Sequence, residues 1–236
     1  MCTVSFVPTN SGFILSSNRD EKYFRKTISP SWYQESNLNL FYPKDLVSGG
    51  TWIASDGIGK SACLLNGAFN NHKKLSYYKK SRGLILLSSF EYDTIDDFIT
   101  QVDLLEVEPF TLLLIDHKDK INFKELVWDG KKKSVRDLDI SIPHIWSSAT
   151  LYSDEYINLR KKLFNQFIIS GVEANLESIK NFHLGNQIES EAHNFVMKRP
   201  GGMQTVSFSQ IQISADKTYF NYFDLLENTE SGFILK

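Results

Sequence analysis

Strand-like sequence fills both ends of this chain, and helical periodicity is confined to its middle. Thr3 to Val7 alternates polar and apolar side chains, which is the period-two pattern of a half-buried strand. Pro8 to Gly12 has the composition of a turn and Phe13 to Ser17 supplies a second strand, so the chain opens with a predicted hairpin. We therefore predict one α+β domain over residues 1–236, in which two clusters of antiparallel strands flank a helical middle and are covered by helices.

The remaining elements are predicted from the same kinds of pattern. A helix is expected to begin at Thr94, because Asp97 follows three residues later as a capping partner. Further helices are predicted over 82–91, 153–170 and 176–183. Further strands are predicted over 51–55, 60–66, 110–116, 121–128, 195–198, 205–213 and 218–223.

Composition excludes several classes of function. The net charge of −2 lacks the basic excess typical of a nucleic-acid-binding protein. Only two cysteines occur, Cys2 and Cys63, which excludes a disulfide scaffold and a cysteine-based zinc site. The five histidines show no metal-ligand spacing, and we predict no metal and no cofactor. No apolar run approaches the roughly 20 residues of a membrane span, and no secretory signal opens the chain, so a cytoplasmic location is expected.

Cys2 is the strongest candidate for chemistry. Removal of the initiator methionine, which is usual before a small residue, would make Cys2 the N-terminal residue, with a thiol and a free α-amine on adjacent atoms. An α-amine has a pKa of about 8, so a useful fraction is neutral at physiological pH and can act as a base toward the thiol. A nucleophile that carries its own base is the logic of N-terminal nucleophile catalysis. The alternative is that Cys2 is a small buried residue on the first strand.

A polar tetrapeptide, Asn18-Arg19-Asp20-Glu21, follows the second predicted strand. Such a segment is ordinarily a solvated turn, and adjacent Arg and Asp side chains on a strand point to opposite faces. Hairpin pairing nevertheless brings the tetrapeptide back toward the start of the chain. There a carboxylate could hold the α-amine of Cys2, and a guanidinium could lower the pKa of the thiol or receive a substrate carboxylate.

The order of several motifs resembles one known family. Met1-Cys2, Asn18-Arg19-Asp20-Glu21, Gly49-Gly50-Thr51-Trp52 and Leu64-Leu65-Asn66 occur in the order and at the spacing of the NRDE family of transport and Golgi organisation proteins. That family in turn resembles the N-terminal nucleophile hydrolases. The resemblance implies a four-layer αββα sandwich with two antiparallel sheets between helices, and it implies likeness to cysteine amidases that cleave conjugated bile acids and penicillin V.

The resemblance also implies roles for individual residues. Cys2 would be the nucleophile, Asp20 would orient its amine, Arg19 lies near the position of a catalytic arginine, and Asn66 would help bind the oxyanion. Implied substrate-binding residues are Asn18, Trp52, Ser148 and Arg199. Two of these depart from the family pattern: Ser148 stands where the family has an asparagine, and Arg199 is the nearest arginine to a position now held by Met203-Gln204.

Two functions follow as alternatives. The first is hydrolysis of a linear amide by a cysteine N-terminal nucleophile amidase or acylase. The second is a non-catalytic protein on the same scaffold that binds or traffics a hydrophobic small molecule such as an acyl lipid or haem, and the change at Ser148 favours it. A structural protein without a ligand pocket is a third possibility. The expected partner is a small-molecule substrate or ligand, hydrophobic or acylated, with no nucleic acid and no membrane span; the oligomeric state stays open.

One further segment carries a local excess of charge. Residues 70–80 contain four lysines and two tyrosines, which could edge a pocket for an anionic ligand. The composition favours a solvated loop over that interpretation.

Overall fold

The structure of the protein is a computed structural model that describes residues 3–236. These residues form two compact units. The first unit comprises the described residues up to Arg25 together with Ser141–Lys236, and the second unit comprises Lys26–Ile140. Each unit contains one seven-stranded antiparallel sheet together with helices, so the predicted α+β class with two antiparallel sheets is confirmed.

The strands and helices have the following bounds. The strands are β1 (Thr3–Thr9), β2 (Gly12–Lys22), β3 (Thr27–Glu35), β4 (Leu38–Asp45), β5 (Ile53–Ser55), β6 (Lys60–Asn66), β7 (Phe110–Asp116), β8 (Asn122–Trp128), β9 (Lys133–Asp137), β10 (His144–Ser147), β11 (Lys198–Arg199), β12 (Met203–Ile213), β13 (Thr218–Asp224) and β14 (Thr229–Ile234). The α-helices are α1 (Arg82–Ser88), α2 (Ile95–Gln101), α3 (Asp154–Ile169) and α4 (Leu176–Leu184). Short 3₁₀ turns cover Ser89–Glu91 and Glu191–His193. None of the helices within residues 3–236 combines the length and the apolar character needed to cross a bilayer.

The sheet of the first unit is built on the predicted N-terminal hairpin. Its strand order is β10-β1-β2-β12-β13-β14, with β11 beside β12. The sequence predicts that the second strand ends near Ser17, and this is wrong, because β2 continues to Lys22. The reason is that β12 pairs along the whole of β2, as far as Met203 opposite Lys22, with a bulge between Thr205 and Ser207. The polar tetrapeptide therefore lies within a paired strand, where Asn18, Arg19 and Asp20 are buried.

Helices α3 and α4 supply the apolar cover of this sheet. The predicted helix over 176–183 is confirmed as α4, and its first turn carries a capping box between Asn175 and Ser178. The predicted helix over 153–170 is confirmed as α3. The cluster between the helices and the sheet contains Val7, Ile14, Phe164, Ile179, Phe182, Ile188 and Phe195.

The sheet of the second unit has the order β3-β4-β5-β6-β7-β8-β9. The predicted hairpin over 51–66 is confirmed as β5 and β6, and the predicted strands over 110–116 and 121–128 are confirmed as β7 and β8. Thr94 accepts a hydrogen bond from the backbone N–H of Asp97, which is the predicted cap of α2. The α-helical part of predicted segment 82–91 ends at Ser88. The core of this unit includes Leu64, Ile85, Leu86, Phe98, Phe110, Leu112 and Leu126.

Candidate functional site

The start of β1 fixes where the predicted nucleophile is attached to the fold. Thr3 is the first described residue, and it pairs with Asn18 of β2. The predicted nucleophile, Cys2, lies outside the described residues, and a peptide bond joins it to Thr3. The part of the site that the structure describes is therefore the region around Thr3 and the tetrapeptide of β2.

Asp20 is the best-defined polar group of this region. Its side chain is buried, and its two oxygens accept hydrogen bonds from different hydroxyl groups. Tyr152 donates its hydroxyl to Oδ2 at 3.0 Å, and Thr205 donates to Oδ1 at 2.5 Å. The Thr205 oxygen also accepts from the backbone N–H of Met197 at 2.8 Å, which leaves its proton for the carboxylate. The carboxyl group is thus held in one orientation by residues that are distant in sequence.

The sequence does not predict Tyr152 or Thr205 as site residues. Tyr152 lies before α3 in a segment predicted as neither strand nor helix, and Thr205 is visible in the sequence only as the first residue of a predicted strand. The pairing of β2 with β12, which sets Thr205 opposite Asp20, is what brings the hydroxyl and carboxyl groups together. No local motif encodes that register.

Two guanidinium groups lie close to the ring of Tyr152. The Arg160 carbon Cζ is 3.7 Å from the ring centroid, and the Arg199 carbon Cζ is 5.2 Å from it. Arg199 also donates from Nε to the carbonyl of Ala192 at 2.8 Å and from Nη2 to the carbonyl of Leu151 at 2.7 Å. Arg199 thus helps to fix the segment that carries Tyr152; its implied role in substrate binding stays a prediction.

Arg160 is the largest fully buried side chain in this unit. It projects from α3 and donates to the hydroxyl of Thr3 and to the backbone carbonyls of His193, at 3.0 Å, and Asn194, at 2.5 Å. Within residues 3–236 it forms no ion pair with a carboxylate. A buried cation whose hydrogen bonds go to neutral oxygens therefore contacts the residue that follows Cys2.

Arg19 lies beside Asp20 on β2. Arg19 is buried and pairs with Ser207, beyond the bulge of β12. Burial raises the pKa of Tyr222 to about 12, and the charge of Arg19 opposes that rise. The buried guanidinium of Arg19 is therefore close enough to Tyr222 for its charge to act on that hydroxyl group.

Asn18 is fully buried and is bonded to α4 and to residue 195. Its Nδ2 donates to the carbonyls of His183 at 3.1 Å and Phe195 at 3.2 Å. Its Oδ1 lies 2.5 Å from Nδ1 of His183, and Nε2 of that imidazole lies 2.7 Å from the hydroxyl of Ser5. Burial, aided by the nearby charge of Arg160, lowers the pKa of His183 to about 3, so the imidazole is neutral.

Ser148 shapes the backbone that leads to Tyr152. Its carbonyl accepts hydrogen bonds from the backbone N–H groups of Leu151 and Tyr152, each at 3.2 Å. Its buried hydroxyl lies 2.8 Å from the hydroxyl of Thr150. The substrate-binding role implied for Ser148 stays a prediction.

Trp52 and Asn66 belong to the second unit. Trp52 is buried just before β5, and its carbonyl accepts from the N–H of Leu64 at 2.8 Å. Asn66 is the partly buried last residue of β6 and pairs with Phe110. Their implied roles in substrate and oxyanion binding stay predictions. Among residues 3–236, no three His, Cys, Asp or Glu side chains are grouped as metal ligands.

The fold is shared with several solved structures. It is similar in structure to a variant of the conjugated bile acid hydrolase of Clostridium perfringens, with a TM-score of 0.64 and 11% identity over 99% of this chain and 92% of that chain. It is similar to the penicillin V acylase of Agrobacterium tumefaciens, with a TM-score of 0.57 and 8% identity over 99% and 86% of the two chains. It is also similar to the Caenorhabditis elegans orthologue of N-acylethanolamine-hydrolyzing acid amidase, with a TM-score of 0.51 and 12% identity over 89% and 92%. The fold is that of the N-terminal nucleophile hydrolases.

The family of the chain is shown by its sequence. The model of the Transport and Golgi organisation 2 family matches residues 1–220, and the chain belongs to this family, as its NRDE motif predicts. No curated protein matches the chain by sequence.

Proposed function

We propose that the protein hydrolyses a linear amide through Cys2, after removal of Met1 exposes the cysteine as the N-terminal residue. The observation that carries this proposal is the fixed side chain of Asp20, which lies on β2, the strand paired with the start of β1. Two hydroxyl donors hold its buried carboxyl group, and Thr3, the residue after Cys2, pairs with Asn18 two positions earlier on the same strand. Structures named as a hydrolase, an acylase and an amidase share the fold, which supports a reaction at an acyl group.

The proposed reaction uses the thiol and the α-amine of the same residue. The thiol sulfur attacks the amide carbonyl carbon, and the α-amine accepts the thiol proton. The amine then passes this proton to the leaving nitrogen as the carbon–nitrogen bond breaks, which leaves an acyl thioester on Cys2. Water, deprotonated by the same amine, attacks the thioester and releases a carboxylic acid and the restored thiol.

The described residues of β2 have distinct roles in this proposal. Asp20 holds the ammonium form of the α-amine between the two proton transfers. Arg19 follows Asn18, the partner of Thr3, and its guanidinium stabilises the thiolate. Asn66 is the proposed oxyanion donor, and such a donor is worth about 3 kcal/mol of barrier.

Four residues are proposed to bind substrate, on the basis of the family resemblance. Arg199 would receive an anionic group, because a guanidinium matches a carboxylate with two donors. The other three are Trp52, Ser148 and Asn18, and the side-chain amide of Asn18 would contact substrate only on releasing its partners His183 and Phe195.

The chain offers a matched pair of cysteines for the test. The full-length protein is purified from its own cells, and its intact mass is measured for loss of the initiator methionine. It is then incubated with a panel of N-acyl amides, quenched in acid, and digested for mass spectrometry of the cysteine peptides. We expect an acyl adduct on Cys2 and release of the free amine, both abolished by Cys2→Ala. Cys63→Ala is the control, since Cys63 is buried within β6 and should leave turnover unchanged.

Two results would overturn the proposal. One is retention of Met1 in the natively processed protein, because the α-amine of Cys2 would then be blocked. The other is turnover that survives Cys2→Ala. If instead Cys2→Ala and the unchanged protein bind an acyl lipid or haem equally and neither releases product, the non-catalytic alternative replaces the hydrolase.

A further inference from the structure

The second unit contains a long stretch of chain with positive charge only. No Asp or Glu occurs between Asp56 and Glu91, although the whole chain has a net charge of −2. The cations of this stretch are Lys60, Lys73, Lys74, Lys79, Lys80 and Arg82. Most of them lie in residues 67–81, which connect β6 to α1 and are here called the lysine loop.

The two ends of the lysine loop are tied to the second unit. Glu108 pairs with His72 at 3.3 Å and with Arg82 at 3.1 Å, so its carboxylate is used at the base of the loop. The backbone N–H of Lys79 donates to the carbonyl of Glu106 at 2.9 Å. These contacts hold the base of the loop, and most of the residues between them are exposed.

The exposed part of the loop contains lysines that form no ion pair within residues 3–236, together with large apolar side chains. In the described chain Lys73, Lys74 and Lys80 form no ion pair, whereas Lys79 pairs with Asp103 at 3.5 Å. Three apolar side chains of the same loop are exposed: Phe69 at 60%, Leu75 at 62% and Tyr77 at 66%. Leu75 and Tyr77 lie between Lys74 and Lys79, so apolar and charged side chains are interspersed along one exposed segment.

We propose that the lysine loop docks the protein on an anionic membrane surface. Lysines attract the negative headgroups, and apolar side chains among them enter the boundary between headgroups and acyl chains. Leu75 directly follows Lys74 and Tyr77 is two residues further on, so both interactions would occur within one short segment. Nucleic acid fits this surface less well, because an aliphatic side chain such as Leu75 has no phosphate or base edge to contact.

The test is co-sedimentation of the full-length protein with phosphatidylcholine vesicles that contain or lack phosphatidylserine. We expect binding only with phosphatidylserine, weakened by salt. Lys73→Glu combined with Lys74→Glu should reduce binding by about 25-fold or more, since each lysine near an anionic surface contributes about fivefold. Leu75→Ser combined with Tyr77→Ser should also weaken binding, and this loss should persist at low salt because it removes apolar insertion rather than charge.

Two control variants match these substitutions elsewhere on the surface. Lys131→Glu with Lys132→Glu reverses an exposed lysine pair in the turn between β8 and β9, and Ile169→Ser with Val172→Ser removes apolar side chains that are 80% and 51% exposed. Both controls should bind vesicles like the unchanged protein, and circular dichroism checks that every variant is folded. Equal losses in the controls, or no binding to phosphatidylserine vesicles at low salt, would overturn the proposal. So would tighter binding to single-stranded RNA than to vesicles that is unaffected by the Leu75 and Tyr77 substitutions.

Discussion

The imidazole of His183 and the side-chain amide of Asn18 meet at 2.5 Å where neither side chain is accessible to solvent. The amide orientation is fixed, because Nδ2 already donates to two backbone carbonyls. Oδ1 can only accept, so Nδ1 of the imidazole carries the proton. Nε2 of the neutral ring then accepts from the hydroxyl of Ser5 at 2.7 Å. One tautomer of one neutral histidine thus connects α4 to both strands of the N-terminal hairpin.

Acid should destabilise the protein through His183. Its pKa is about 3 in the folded protein and 6.5 when exposed, so between these values the unfolded chain binds a proton that the folded chain does not. The contribution of His183 to the free energy of unfolding is therefore fully present above pH 6.5. It falls as the pH drops toward 3, with a slope that approaches about 1.4 kcal/mol per pH unit. Urea unfolding followed by tryptophan fluorescence across this range measures the slope.

Two variants isolate the contribution of His183 to that slope. His183→Gln cannot titrate, so it should be less stable at neutral pH but should show a shallower decline in acid. His144→Gln, which changes a partly exposed histidine of β10, should keep the full decline. An unchanged slope in His183→Gln would contradict the assignment.

Most of the strands that the sequence does not predict lie at the edges of the two sheets. The strands missed by the sequence prediction are β3, β4, β9, β10 and β14, and all but β4 lie at an edge of a sheet. An edge strand has one paired neighbour and much exposed surface, so its side chains need not alternate. In β3, Pro30 also lies at the register shift between Ile28 and Ser31, where a strand pattern is interrupted.

The residues of the candidate site also differ in whether the sequence alone reveals them. The tetrapeptide is a continuous run of sequence and Cys2 stands out by its position, so both can be found by inspecting the sequence locally. Tyr152, Thr205 and Arg160 reach the same region through the β2–β12 register and the packing of α3, and their residue types carry no local signal. His183 looks like an ordinary histidine in sequence, and only burial against Asn18 distinguishes it.

Tyr152 and Asp20 should show energetic coupling. A buried hydrogen bond to a charged group contributes about 1.5–3 kcal/mol, so Tyr152→Phe should lower the free energy of unfolding by about that amount. In the Asp20→Asn background the same change should cost less, because the charged acceptor is gone. Chemical denaturation of the four proteins in this cycle gives the coupling energy, with Tyr156→Phe on α3 as a control expected within about 0.5 kcal/mol of the parent. Additive losses would show that the 3.0 Å contact contributes nothing.

Arg160 should be required for stability although it has no carboxylate partner. Arg160→Met leaves the carbonyls of His193 and Asn194 without donors, and we expect a loss of about 2–4 kcal/mol. Arg160→Lys keeps the charge but loses the planar stacking on Tyr152, so its loss should be smaller. The next residue provides the control: Lys161→Met changes an exposed side chain of α3 and should shift stability by at most about 0.5 kcal/mol. Thermal and urea unfolding measure all three, and an unaffected Arg160→Met variant would show that apolar packing alone can fill the site.

The contact between α1 and the segment before β5 determines how Gly83→Ala should change stability. Helix propensity alone would make this substitution stabilising, whereas steric overlap would make it destabilising. Gly83 lies within α1, where helix propensity alone favours alanine over glycine by about 1 kcal/mol. A Cβ at this position would lie 2.6 Å from the carbonyl oxygen of Thr51 and 2.8 Å from its nitrogen, and backbone atoms cannot move aside as a side chain can. We therefore expect Gly83→Ala to destabilise the protein by about 1–3 kcal/mol. Thr100→Ala, at an exposed position of α2, reports propensity alone and should be neutral or slightly stabilising. If urea unfolding instead showed that Gly83→Ala raises the free energy of unfolding, as it would in a helix without neighbours, α1 would not approach Thr51 as closely as the structure has it.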